Sequence, residues 1–89
     1  MKIADLIPEK ELKDVVLSEY KRRLVHYRFI DAMLKRKYGM TYEEFEKKNI
    51  VKERDFSWEV EKDAMQWEHA IEGIRYMEEK IKVIKDSDE

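Results

Sequence analysis

The sequence predicts an all-α protein, with two long antiparallel helices joined by a short helix and two copies pairing into a four-helix-type bundle. Three observations lead there. Between Pro8 and Gly39 nothing interrupts an apolar stripe that recurs at steps of three or four residues. The string Gly39-Met40-Thr41-Tyr42-Glu43-Glu44-Phe45 reads as a helix stop followed at once by a helix start. Val60, Trp67, Ile74 and Ile81 then recur every seven residues, a coiled-coil-like seam. Composition agrees, since 45% of the 89 residues are charged and there are only two glycines and one proline, as in long solvated helices. No alternating run is long enough to argue for a sheet, and there is no internal repeat.

Taken in order, residues 1–7 read as an N-terminal arm that a neighbour could order through Ile3, Leu6 and Ile7. Pro8 suits the first position of a helix, where its missing N–H costs nothing, and Glu9 and Glu11 meet the positive end of the dipole. Leu17, Tyr20, Leu24, Tyr27, Ile30, Leu34 and Tyr38 form the stripe of a helix of about 30 residues, roughly 45 Å long at 1.5 Å per residue. Lys35, Arg36 and Lys37 crowd its last turn, where positive charge is favourable. Gly39 can take the left-handed conformation that closes the helix. Thr41 and Glu44 can form a capping box, with Met40 and Phe45 as a hydrophobic staple over a short helix at about Tyr42–Lys48. A polar connection, Asn49–Phe56, follows, in which Ile50 and Val51 tuck under and pin the corner. Ser57 caps the last helix, expected from Trp58 to about Ile84, with Ala64, Ile71, Met77 and Ile84 beside the seven-residue seam. Gly73 costs about 1 kcal/mol relative to alanine inside a helix, which points to a close helix–helix approach there. The helical domain therefore spans 8–85, and the last residues, from Lys85 on, should fray.

Composition also excludes. There is no cysteine for a disulfide or a thiolate metal site, which fits a reducing compartment. No apolar run approaches the roughly 20 residues that cross a bilayer, and the N-terminus lacks a signal-peptide core, so the protein reads as cytoplasmic. High charge with a single Gln (Gln66) and a single Asn (Asn49) fits a thermophilic source. The net charge of −2 hides an asymmetry: residues 1–39 carry ten Lys/Arg against six Asp/Glu, and residues 40–89 nine against fifteen. A basic half and an acidic half suit antiparallel packing.

Chemistry is sparse. His69 has Glu72 three residues on, but the di-iron bundle motif runs the other way, Glu-x-x-His, and is absent: Gln66 stands where that glutamate would be, so ordinary hydrogen-bonding histidines are the reading preferred. Arg22 and His26 sit too close together for the helical ribonucleases that pair an Arg and a His on one helix. Asp31 and Asp63 fall near the apolar stripes, where an unpaired carboxylate is costly. An acid/base pair is one reading; an ion pair with Arg23, Arg28 or a partner-chain arginine is the one preferred, because nothing supplies a nucleophile or oxyanion site. Neither a catalytic group, a cofactor nor a metal is expected. Both long helices carry apolar residues beyond one stripe: Val16, Val25, Phe29 and Met33 on the first, Trp58, Met65 and Tyr76 on the last. A hairpin cannot bury them, so a two-fold homodimer or an obligate hetero-complex is expected. Trp58, Tyr76, Arg22, Arg28 and Arg36 are the candidate partner-binding residues. The basic cluster, interleaved with Tyr20, Tyr27 and Phe29, leaves nucleic-acid binding as an alternative.

Lys37-Tyr38-Gly39-Met40-Thr41 followed by Glu43-Glu44-Phe45-Glu46, then Ser57-Trp58-Glu59-Val60-Glu61-Lys62-Asp63, Trp67-Glu68 and Gly73-Ile74, resembles the antitoxin-like halves of two-gene toxin–antitoxin pairs of the TumE type, small prokaryotic proteins of archaea and cyanobacteria. The resemblance covers about residues 20–84. It implies a non-catalytic helical protein that binds and silences a toxin encoded beside it, and it carries over no functional residue.

Overall fold

The computed structural model describes residues 6–87. Helix α1 runs Glu9–Tyr38, α2 Tyr42–Lys47, α3 Ile50–Glu53 and α4 Trp58–Asp86, and no strand occurs among the described residues. Residues 1–5, including Ile3 of the expected arm, and 88–89 of the expected tail lie outside them. Leu6 is exposed and Ile7 half-buried.

Each helix end has a local cause. Pro8 stands just outside α1, one residue earlier than the sequence suggests, and its carbonyl accepts from the Leu12 N–H at 3.0 Å. Gly39 adopts φ +66°, left-handed, and its N–H returns to the Lys35 carbonyl at 2.8 Å. The capping box forms: the Thr41 hydroxyl accepts from the Glu44 N–H, and the Glu44 carboxylate accepts from the Thr41 N–H, both at 3.2 Å. The Thr41 N–H, and then the Thr41 hydroxyl donating to the same carboxylate at 3.2 Å, hold the Glu44 carboxyl below the ordinary carboxylate range. Phe45 is fully buried and Met40 packs against the cluster that contains it, as a staple should.

One expectation is corrected here. The connection after α2 contains a one-turn helix, α3, rather than an unstructured polar stretch. It is entered through Asn49 at φ +53° and left through Asp55 and Phe56 at +56° and +54°, left-handed residues without glycine that no local pattern announces. Ile50 is nonetheless buried beneath it, pinning the corner. At the C-terminus, Lys85 and Asp86 remain helical, and the Ser87 hydroxyl donates to the Ile84 carbonyl at 2.7 Å.

α1 and α4 pack antiparallel along their stripes, in a molecule measuring 56 × 27 × 16 Å. Opposite pairs fix the register: Tyr27 against Gly73, Asp31 against Trp67, Lys37 and Tyr38 against Asp63. At the corner end, Trp67 has no exposed surface and is ringed by Tyr38, Tyr42 and Phe45 at centroid distances of 6.0, 5.5 and 5.1 Å. Such aromatic clusters bury large apolar areas and add an orientation preference. Leu24, Met77 and Ile81 form a second cluster at the open end. Gly73 is the close approach expected: a Cβ there would lie 2.5–2.8 Å from three ring atoms of Tyr27.

The two carboxylates near the seams are paired, though not with the arginines expected. Asp31 accepts from the Trp67 indole N–H at 2.9 Å and sits 3.7 Å from the Lys35 ammonium. Asp63 accepts from the Lys37 ammonium and the Tyr38 hydroxyl, each at 2.6 Å. Arg23 instead lies on Glu19, and Arg28 reaches Glu78. The antiparallel register sets Asp63 opposite Lys37 and Tyr38, away from Arg23 and Arg28, while Arg28, three residues before Asp31 on the same helix, is taken up by Glu78 instead. Burial raises the Asp63 carboxyl, but the bonds from Lys37 and Tyr38 outweigh it and the net direction is down. Burial and the bond to Asp63 push the Tyr38 phenol up to about 12.

Candidate functional site

The hairpin leaves two outward faces. On α1, every residue of the buried stripe turns toward α4, so positions half a turn away point to solvent. There Val15, Val25, Phe29 and Met33 stand exposed, Val25 and Phe29 at 67% and 65%. They share this face with Arg22 and Arg36 at spacings of three, four or seven residues. Arg22, Arg23, Val25, His26, Tyr27 and Phe29 line one shallow open depression along it. The surplus valine is Val15, not Val16: the latter is half-buried toward the core side.

The charges around this face are unequal. Glu19 accepts from Arg22 through both oxygens at 2.8–2.9 Å and from Arg23 at 3.1 Å. Arg22 and then Arg23 hold the Glu19 carboxyl below its ordinary range, and Glu19 in turn raises the Arg22 guanidinium. One carboxylate shared by two guanidiniums leaves the group net positive. Arg36 is exposed, with no ion pair among the described residues. Arg28 points elsewhere, across the hairpin flank to Glu78 at 3.4 Å.

α4 presents the second face. Trp58, Met65, Tyr76 and Val83 are exposed at 74%, 68%, 55% and 59%. Trp58 is therefore no cap on the core, and the Lys80 ammonium sits 5.4 Å over the Tyr76 ring. Glu61, Glu68, Glu72 and Glu79 alternate with Lys62, His69 and Lys80 around these residues.

The five candidate residues thus fall on three surfaces: Arg22 and Arg36 on the outward face of α1, Trp58 and Tyr76 on that of α4, and Arg28 on the flank between the helices. Sequence reasoning noted Val25, Phe29 and Met33 as surplus but did not join them to Arg22 and Arg36. The signal was present as a second periodicity on α1, offset from the buried stripe, and the stronger core stripe masked it.

His26 and His69 are both exposed and flank Tyr27, with ring centroids 6.0 and 5.6 Å from it. Asp31 is committed to Trp67 and Lys35, so these three groups share no pocket. Among the described residues no three His, Cys, Asp or Glu side chains converge as a metal site would require, and no helix is long and apolar enough to cross a membrane. In comparisons with family models, curated proteins and solved structures, nothing matches this chain.

Proposed function

We propose that this chain is a non-catalytic helical interaction module, an antitoxin that binds and neutralises a toxin encoded beside it, acting in the cytoplasm as a homodimer. The observation that supports this reading is the outward face of α1: Val25, Phe29 and Met33, exposed along one line and bracketed by Arg22 and Arg36. An aromatic anchor with arginines is the composition of protein-binding hot spots. A second copy fits this face poorly. The antiparallel register that stacks Phe29 on Phe29 and Val25 on Met33 also sets Arg22 against Arg36 within the seam, where like charges are costly. A different protein that offers acidic groups around an apolar anchor fits better.

The same charges argue against the nucleic-acid alternative. Five basic side chains of the first helix are already engaged within the chain: Arg22 and Arg23 share Glu19, Arg28 reaches Glu78, Lys35 lies near Asp31, and Lys37 holds Asp63 and Glu59. A phosphate-binding surface keeps its cations available.

Co-expression with the product of the adjacent gene tests the proposal. Co-purification and relief of growth arrest are expected, with both lost on Phe29→Glu. Failure to co-purify, or toxicity undiminished by the wild-type chain, would overturn it. A gel shift at low salt that weakens steeply as salt rises would favour nucleic acid instead.

A further inference from the structure

Resting on the homodimer part of that proposal, we infer that the second copy docks on the outward face of α4, with the two α4 helices antiparallel and crossing at the level between His69 and Glu72. The face has a palindromic order. Trp58 and Met65 are seven residues apart, Tyr76 and Val83 are again seven apart, and the two pairs lie symmetrically about that level. Two-fold symmetry requires that a patch be complementary to itself, so that what i meets in j, j meets in i. An antiparallel copy in this register sets Trp58 against Val83 of the second copy and Met65 against Tyr76, and each pairing occurs twice. All four side chains are more than half exposed in the single chain.

The centre of the seam is polar and also matched. His69 meets Glu72 of the second copy, again twice, as donor and acceptor. His69, Glu72 and Tyr76 border one shallow depression next to Gly73, into which a side chain of the second copy can settle. Along the edges Lys62 comes beside Lys80, and Glu61 beside Glu79. These are long, hydrated side chains that can diverge into solvent, so the cost is small. On α1 the like charges Arg22 and Arg36 meet in the seam with no acid opposite them, whereas on α4 Lys62, Lys80, Glu61 and Glu79 lie toward the rim and the one acid near the centre, Glu72, has His69 of the second copy opposite it.

The pairing leaves α1 uncovered on both outer sides of the dimer, so one assembly presents two copies of the Phe29 face. Self-association and partner binding then use different helices and can be tested separately.

The chain has no cysteine, so engineered thiols report cleanly. In Met65→Cys/Tyr76→Cys the two thiols of one chain lie about 16 Å apart along α4 and cannot bridge. Sedimentation equilibrium of the wild type should give a dimer. Mild oxidation of the double variant should give a covalent dimer, while Met65→Cys alone and Phe29→Cys alone should not cross-link efficiently. Met65→Glu, at an exposed site that leaves the helical circular dichroism intact, should weaken dimerisation at least about tenfold. A wild-type monomer at about 100 μM, the scale at which an interface of physiological strength is populated, would overturn both the dimer and this surface. A dimer that cross-links through Phe29→Cys or Met65→Cys alone, or not at all through the double variant, would overturn this surface and leave the dimer standing. Neither result bears on capture of the adjacent gene product, which reads the α1 face.

Discussion

Asp31 and Asp63 show how little of a polar core is local. Both lie near an apolar stripe, and that much is legible in the sequence, because a carboxylate there must find a donor. Their partners are not legible. Trp67 reaches Asp31 across 36 positions of sequence and Lys37 reaches Asp63 across 26, distances that only the antiparallel register brings to contact. Asp31 acts chiefly as an acceptor for a buried indole, so its charge matters less than its oxygen. Asp31→Asn is expected to cost under about 1 kcal/mol in urea unfolding, and Asp31→Ala about 1–3 kcal/mol, since it strands the Trp67 N–H. If the asparagine variant were as damaging as the alanine one, the ion pair with Lys35 would be the larger contribution. Asp63 makes the opposite case. Its carboxyl titrates lower in the folded chain than the ordinary value of about 3.9. The stability it contributes is therefore complete above about pH 4 and is lost as pH falls through the folded value. Asp63→Asn should lower stability at pH 7 and flatten the dependence below pH 4, measured by thermal unfolding across pH; an unchanged acid limb would show that other carboxylates govern it.

Helix ends were the most legible feature at the scale of elements, because their chemistry lies within four or five residues. Gly39, Thr41, Glu44 and Ser57 all do what their positions imply. α3 escaped notice for the converse reason. One turn carries no periodicity, and it is set by left-handed Asn49, Asp55 and Phe56 rather than by glycine. Gly73 was legible as a close approach, but not what it approaches. The Tyr27 ring occupies the space a Cβ would take, so Gly73→Ala should destabilise by about 1–3 kcal/mol despite the gain of about 1 kcal/mol in helix propensity. With the ring removed, only the propensity remains. In a Tyr27→Ala background the same substitution should therefore be neutral or stabilising, a sign change that a double-mutant cycle reads directly. Additive effects would mean that Tyr27 and Gly73 do not share that space.

The whole molecule is a two-helix ribbon with a corner, and a ribbon has more surface than it can hide. Its interior is legible from the two stripes; its exterior is less so. The width of the apolar faces is legible in the sequence, while the division into a basic face on α1 and a palindromic one on α4 emerges only when the core stripes have been assigned. Lys37 illustrates the limit: it reads as part of a basic patch, yet it is bonded to Glu59 and Asp63 within the chain, and those bonds raise it above its ordinary range. The proposed partner binding rests on the exposed Phe29 face. The most direct test is hydroxyl-radical footprinting of the chain alone and in complex with the adjacent gene product, read by mass spectrometry at Phe29, Met33, Met65 and Tyr76. Protection of Phe29 and Met33 only in the complex, with Met65 and Tyr76 equally protected in both samples, is the result expected. Phe29 and Met33 reacting equally in both samples would contradict it.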